Sequence, residues 1–210
     1  SGRIIYPVYE YTNGTQHTSV IYSDDQGKTW KRSANMDSGT SEATITEADG
    51  KLYMFTRGAR GYYVSTDNGA TWGTRQKVTN ISYYTGCQMN AITYSKKIDG
   101  KTAILLSAGT NARNNGKIFV GLVQDNGSIT WKYKYAVNTG TYQYSCLSEL
   151  KDGTVALLYE DGYASEKFVK YSIEDIAQGA TIENGKEEIK HVATSGATDS
   201  VTATIVTNNA

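Results

Sequence analysis

Arginine is scarce in this chain, so its placement is informative. Six of the 21 basic residues are arginines, and two of them close strand-like runs beside glycines. Arg57 ends Leu52-Tyr53-Met54-Phe55-Thr56 and precedes Gly58. Arg113 ends Ser107-Ala108-Gly109-Thr110-Asn111-Ala112 and leads into Asn114-Asn115-Gly116. A guanidinium presents a rigid fork of donors that matches a carboxylate, so two of them at strand ends can grip one anionic group. The alternative is two solvated surface charges. Glu42 follows Ser38-Gly39-Thr40-Ser41 at the start of a strand-like run. It can act as a general base or simply face water. Tyr144 lies in Thr141-Tyr142-Gln143-Tyr144-Ser145-Cys146-Leu147-Ser148-Glu149-Leu150. A phenol becomes a nucleophile only with a base beside it; otherwise a tyrosine is core or surface. His17 and His191 stand in polar segments away from any nucleophile motif. No glycine-rich phosphate loop and no metal cluster appears in the sequence.

The elements that must hold these residues announce themselves by repetition. Ser23-Asp24-Asp25-Gln26-Gly27-Lys28-Thr29-Trp30 and Ser65-Thr66-Asp67-Asn68-Gly69-Ala70-Thr71-Trp72 share the pattern S-x-D-x-G-x-T-W, starting 42 residues apart. A third stretch, Gln124-Asp125-Asn126-Gly127-Ser128-Ile129-Thr130-Trp131, keeps the Asp, the Gly and the Thr-Trp with one extra residue. A repeat of this length marks a radial or stacked array of similar units. Asp and Ser can bond nearby backbone, Gly supplies positive φ, and the Trp ring can close the turn as an anchor. Each clean copy follows a strand-like run, Ser19 to Tyr22 and Tyr62 to Val64. Further strands are expected at Arg3–Tyr9, Glu42–Thr46, Lys51–Arg57, Met89–Tyr94, Thr102–Ala108, Lys117–Val123, Tyr142–Leu150, Thr154–Glu160, Phe168–Ile173 and Val201–Val206. Asp49-Gly50, Asp99-Gly100, Asn115-Gly116, Asn126-Gly127 and Asp152-Gly153 punctuate them as turns. One short helix is expected around Ile173–Ala177.

Composition agrees with an all-β chain: 17 Tyr and 21 Gly against a single Pro suit pleated surfaces and tight turns. Formal net charge is zero, with 21 acidic and 21 basic residues evenly spread, which argues against a nucleic-acid surface or a polybasic membrane patch. No apolar run is long enough for a transmembrane helix. The chain opens in mid-strand, so a natural N-terminus upstream is expected. Cys87 and Cys146 form no framework and are expected to be buried free thiols, with a mutual disulfide as the other option. Asn13-Gly14-Thr15, Asn80-Ile81-Ser82 and Asn126-Gly127-Ser128 fit the glycosylation triplet, as chance allows in a chain rich in Asn, Ser and Thr.

Taken in order, these segments resemble the sialidases. The repeated turn is similar to the Asp-box of sialidases and related β-propellers. Glu42 starting one strand and Arg57 ending the next, Arg113-Asn114-Asn115-Gly116, Tyr142-Gln143-Tyr144-Ser145 and the upstream Gly2-Arg3-Ile4-Ile5-Tyr6-Pro7 all fall where a bacterial-type exo-α-sialidase carries its motifs. The resemblance runs from about residue 2 to about residue 173. It implies a six-bladed β-propeller of which this chain holds three to four blades, with 1–180 as part of the catalytic domain and 181–210 as a final strand or linker. It implies a secreted or cell-surface enzyme acting on sialylated glycans, with no cofactor, no metal, no nucleic-acid partner and no membrane insertion. Residue by residue, Tyr144 stands where the family has its nucleophile and Glu42 where it has the base that activates it. Arg57 and Arg113 stand where it has the second and third arginines gripping the sialic acid carboxylate. Tyr83 or Tyr84 is expected to wall the site and Gln88 to add a polar contact. The carboxylate on the anomeric carbon gives a reason for a neutral nucleophile, since an Asp or Glu there would meet like charge; a Tyr nucleophile is an acknowledged exception among glycosidases. The first triad arginine and the Asp acid/base have no counterpart in this sequence, and Arg3 does not sit in the corresponding motif. The competing readings are a non-catalytic Asp-box propeller that binds glycan or protein, and an interaction module with the arginines as surface charge.

Overall fold

The structure, a computed structural model, describes residues 2–183. Four antiparallel sheets follow one another along the chain. The first contains β1 (Ile4–Thr12), β2 (Thr15–Ser23) and β3 (Lys31–Arg32); the second β4 (Ala43–Ala48), β5 (Lys51–Thr56) and β6 (Tyr63–Ser65). The third runs β7 (Asn90–Ile98), β8 (Lys101–Asn111), β9 (Asn114–Val123) and β10 (Ile129–Ala136); the fourth β11 (Ser145–Glu149), β12 (Val155–Glu160) and β13 (Glu166–Tyr171). A short helix α1 (Ile173–Ile176) and strand β14 (Ile182–Glu183) follow, β14 pairing antiparallel with β7. The first strand of each sheet packs on the first strand of the next: β1 on β4, β4 on β7, β7 on β11. β4, β7 and β11 start on one rim and form an inner line, whereas β1 runs opposite to β4, with Arg3 at its start reaching Asp67 and Asn68; the sheets fan out as blades of part of a β-propeller.

Turn chemistry sets the hairpins. Asp49-Gly50 and Asp99-Gly100 both take positive φ at their two central residues, the backbone that two-residue hairpins favour because it matches strand twist. Burial then fixes register. Phe55, Tyr62, Tyr83, Met89, Ile104, Leu106, Phe119 and Trp131 pack between the second and third blades. Leu105, Ile118, Val120, Tyr142, Leu147, Val155 and Leu157 do the same between the third and fourth. Polar pairs lace the inner strands together: Thr46 with Thr93 at 2.8 Å between β4 and β7, and Leu147 N donating to Asn90 Oδ1 at 2.8 Å between β11 and β7.

The two clean repeats fold alike. In the second, Asp67 accepts from Thr71 N at 2.9 Å, Thr71 Oγ1 at 2.6 Å and Ser65 Oγ at 2.8 Å, and Trp72 Nε1 donates back to Gly69 O at 3.2 Å. In the first, Asp25, Thr29, Ser23, Trp30 and Gly27 repeat the pattern. The third stretch does not. Its Asp125 turns outward to Lys101 Nζ at 2.7 Å, Asn126 Oδ1 takes the Ser128 bonds, and Trp131 Nε1 has no hydrogen-bond partner among the described residues. The extra residue moves Thr-Trp out of reach of the Asp, and Val123 in place of Ser removes the hydroxyl that holds the Asp in the other two turns. Trp131 instead joins the core edge-on to Phe55 at 6.0 Å.

Several expectations are corrected. Residues 129–136 form β10, which the repeat reading had concealed. The strand expected from Tyr142 starts only at Ser145, because Tyr142 N and Gln143 N bond Arg113 O and Glu160 O instead. Both thiols are free, but only Cys87 is buried; Cys146 alternates outward between buried Ser145 and Leu147. The expected strand at Val201–Val206 lies outside the described residues, as does the 181–210 segment beyond β14.

Candidate active site

Antiparallel pairing determines which strand ends share a rim. Ser65 pairs with Leu52, so the box after β6 lies at the Asp49-Gly50 end of its blade. The opposite end carries Glu42, just before β4, and Arg57, just after β5. The ladder continues through them: Arg57 N donates to Glu42 O at 2.7 Å and Ser41 N to Arg57 O at 3.1 Å. Glu42 and Arg57 are therefore cross-strand neighbours, and the boxes sit away from them. The same rim receives Gln88 before β7, the Asn111–Asn114 hairpin tip between β8 and β9, and Tyr144 before β11.

Two local devices aim these residues. Gly58 has φ +93°, and a Cβ there would sit 1.9 Å from Gly39 O, so only glycine lets Arg57 turn off the strand against the segment leading into Glu42. At the hairpin tip Ala112 adopts φ +49°, a left-handed conformation that strains an L-residue. The tip is held down by Tyr142 N donating to Arg113 O at 2.8 Å and Asn115 N to Gly140 O at 3.0 Å. Arg113 is thereby brought against the segment that carries Tyr144.

The side chains converge. The Tyr144 hydroxyl donates to Glu42 Oε1 in a short hydrogen bond. Arg57 Nη1 donates to Glu42 Oε2 at 3.0 Å and to the Tyr144 hydroxyl oxygen at 3.1 Å. Arg113 Cζ lies 5.8 Å from the centre of the Tyr144 ring, and its Nη1 donates to Gln143 Oε1 at 3.3 Å. Burial, the hydrogen bond to Glu42 and the charge of Glu42 push the Tyr144 phenol up to about 12, against the opposing pull of Arg57. The Arg57 guanidinium is raised, chiefly by its bond to Glu42. The nearby Cys87 thiol is raised by burial, with Arg113 and Arg57 opposing. Chemically, this is a phenol with a carboxylate ready to take its proton, and two cations beside it. Among the described residues no cluster of His, Cys, Asp or Glu is suited to a metal ion.

The remaining expected residues sit as follows. Gln88 uses both ends of its amide on one backbone unit, accepting from Ser145 N at 3.0 Å and donating to Ser145 O at 3.2 Å, so it clamps the start of β11. It also lines a cavity of ≈ 260 Å³ with Tyr144, Cys146, Leu158, Glu160 and Glu166. Tyr84 is 38 % exposed and folds over Gly86. Tyr83 is no wall: it is fully buried, with Gly61 N donating to its hydroxyl at 3.0 Å. Arg3 pairs with Asp24 at 2.6 Å and donates to the carbonyls of Asp67 and Asn68, on the box side of the blades. Sequence reasoning missed Gln143 and Glu160. The Glu160 carboxylate accepts from Tyr144 N at 3.3 Å, and Glu160 N donates to Tyr144 O at 2.9 Å, continuing the β11–β12 ladder. Only its place at the end of an apolar strand hinted at this.

A family model for a BNR repeat-like domain matches residues 1–160. Among curated proteins, the chain is 40% identical over 212 residues to the anhydrosialidase of Macrobdella decora, with 86% of this chain and 27% of that protein covered. It is 36% identical over 175 residues to sialidase B of Streptococcus pneumoniae, covering 76% of this chain and 24% of that protein. Among solved structures it is similar to the intramolecular trans-sialidase of Ruminococcus gnavus in complex with oseltamivir carboxylate (TM-score 0.70, 34% identity, 83% of this chain and 41% of that one). It is likewise similar to the NanB sialidase of S. pneumoniae (TM-score 0.74, 32% identity, 84% and 30%). The chain spans about a quarter of the length of these curated relatives.

Proposed function

Because the chain belongs to the BNR repeat-like family and is homologous to a segment of bacterial-type sialidases, we propose that its rim forms the nucleophile side of a retaining exo-α-sialidase site acting on sialylated glycans. The observation that carries this reading is the Tyr144–Glu42–Arg57 cluster, joined by hydrogen bonds across three strand ends. On this reading, Arg57 and Arg113 receive the sialic acid carboxylate. The Tyr144 oxygen attacks the anomeric carbon while its proton passes to Glu42, and the bond to the leaving oxygen breaks. An acid from outside these residues protonates that oxygen. In the second step an acceptor hydroxyl attacks the sialyl-tyrosine, Tyr144 leaves as the phenol with the proton taken back from Glu42, and the acid from the first step, now a base, takes the acceptor's proton. A phenol near about 12 is a poor nucleophile without such a base, which is the physical case for pairing it with Glu42.

The chain is read as part of a larger catalytic unit, because no residue in it matches the family's first arginine or its Asp acid/base. Sialylated glycans stand outside cells, which supports a secreted or surface enzyme. Among the described residues no helix is long and apolar enough to cross a membrane. The test is cleavage of a fluorogenic sialoside by the 210-residue chain and by the full gene-encoded polypeptide that contains it. General acid catalysis is worth about 10²–10⁴-fold, so the isolated chain is expected to fall at least that far below. Activities within about tenfold of each other would refute the assignment of a missing acid. Binding without cleavage by the full polypeptide would favour the non-catalytic propeller. The anhydrosialidase and intramolecular trans-sialidase among the similar proteins favour a second outcome for the acceptor: attack by the sugar's own hydroxyl. Mass spectrometry separates the two, since that product is lighter by one water.

A further inference from the structure

Arg57 and Arg113 are the same residue type on one rim, but their surroundings differ in a way that assigns them different work. Arg57 is ion-paired: Glu42 lies 3.0 Å away, with the two side chains 30% and 24% exposed. Arg113 makes no ion pair with an acid among the described residues. Its side-chain hydrogen bond goes to a neutral acceptor, Gln143 Oε1, at 3.3 Å. That amide is built in. Gln143 is 4% exposed, its backbone N–H is bound to Glu160 O at 3.1 Å, and the preceding Tyr142 N is bound to Arg113 O at 2.8 Å. Arg113 itself is half-buried, and a cation partly withdrawn from water gains from a carboxylate partner, because its unpaired charge is costly to desolvate. Here the residue in position to supply one is an amide of nearly the same shape.

We propose that Gln143 is a positioning residue that fixes the Arg113 guanidinium while leaving its charge uncompensated, so that the substrate carboxylate becomes the counter-ion. This rests on the sialidase reading above and deepens it. A glutamate at 143 would hold Arg113 as well or better, but would compete with the substrate for it. Because Gln143 immediately precedes Tyr144, one dipeptide sets both the third clamp residue and the nucleophile. The carboxylate is gripped in the ground state as well as in the transition state, so the effect falls on KM more than on kcat.

The experiment uses the full gene-encoded polypeptide with wild-type, Gln143→Glu and Gln143→Met forms, assayed on a fluorogenic sialoside from about pH 4 to about pH 8, with folding checked by near-UV circular dichroism. Gln143→Glu is expected to raise KM roughly tenfold or more near neutral pH, the scale of one charge-assisted hydrogen bond, with kcat within about threefold. The sign of the pH dependence follows from the added carboxyl, whose reference value is about 4.3. Pairing with Arg113 holds that carboxyl below its reference value, so protonation sets in only at the acid end of the range, where Arg113 begins to be released and the KM of the variant moves part of the way toward that of wild type. Gln143→Met keeps the volume but removes the acceptor; KM should rise severalfold with no such recovery. A merely structural role predicts equal defects in both variants with no pH dependence, and that result overturns the proposal. So does an unchanged KM in either variant, which keeps the test decisive if the other fails to fold. A folded wild type that binds sialosides without cleaving them overturns the catalytic reading and leaves the charge argument standing only if Kd shows the same pattern. A wild type with neither binding nor cleavage overturns both.

Discussion

Replacing Glu42 with glutamine separates two effects that a simple loss-of-function variant would confound. Glu42 accepts the Tyr144 proton donor on one oxygen and the Arg57 guanidinium on the other. Its negative charge is therefore one of the reasons the phenol stands near about 12 rather than at its ordinary value. Two unit charges about 4 Å apart interact by about 4 kcal/mol at an effective dielectric constant of about 20. The Glu42 side chain is 24% exposed and Tyr144 is half-buried, and solvent screening brings that down to about 1–2 kcal/mol, or roughly one pK unit. In the Glu42→Gln variant the burial contribution persists, but the carboxylate is gone and Arg57 turns its full charge on the phenol. The Tyr144 resonance in a ¹³C-tyrosine NMR titration, assigned by its absence in Tyr144→Phe, should then titrate lower than in wild type. Sialoside cleavage by the full polypeptide should nevertheless fall by about 10²–10⁴-fold, because the proton acceptor has been removed. A more acidic phenol with less activity is the signature of a lost base. If the Tyr144 titration is unmoved or moves upward, the two side chains are not coupled in solution and the mechanism fails with them.

The tyrosines also set an alkaline limit. Burial pushes Tyr53, Tyr63, Tyr94, Tyr142 and Tyr171 up to about 12, as it does Tyr144. A folded-state value above the unfolded value near ~10 means full stability below that pH and progressive loss as pH rises toward about 12; equilibrium denaturation between about pH 8 and about pH 12 should show it, and a flat profile would count against the burial of these phenols. The two repeat types should part company on mutation. Asp67→Ala strips three hydrogen bonds from its turn and should cost about 1 kcal/mol, as loss of a capping carboxylate does, lowering Tm by roughly 2–4 °C. Asp125→Ala, which removes only an exposed contact to Lys101, should leave Tm unchanged; equal effects from the two would mean that both turns depend on their Asp alike.

What could be read from the residues and what could not divides along one physical line. Turns carry their instructions locally. Asp-Gly pairs, the Ser-Asp-Gly-Thr-Trp turns and the short helix, whose Ser172 caps Asp175 N at 3.1 Å, depend on neighbours in sequence, and they stand where sequence places them. Strands were legible where alternation was clean, and Trp131, Tyr133 and Tyr135 alternating with charged and polar residues carried that signal for β10 as well; it was masked by giving the repeat precedence. The order of Glu42, Arg57, Arg113 and Tyr144 was legible only through the family resemblance, because nothing local distinguishes a rim arginine from a surface one. Tyr83 and Tyr84 show why: adjacent residues of identical type, one with its hydroxyl buried against Gly61 and the other exposed, separated only by which way the chain turns. Gln143, Asn90 and Glu160 were illegible for a further reason. Each acts as a side chain bonded to another segment, Gln143 to the Arg113 guanidinium and the rest to the backbone of the β11 segment, and such bonds have no spacing in sequence at all. The difference between the two arginines lies in that same layer. Whether a rim cation is tuned by a neighbour or left open for a ligand is decided by the identity of one acceptor some thirty residues away in sequence, so in this fold the amide-or-acid choice at position 143 carries functional information that the arginine itself does not.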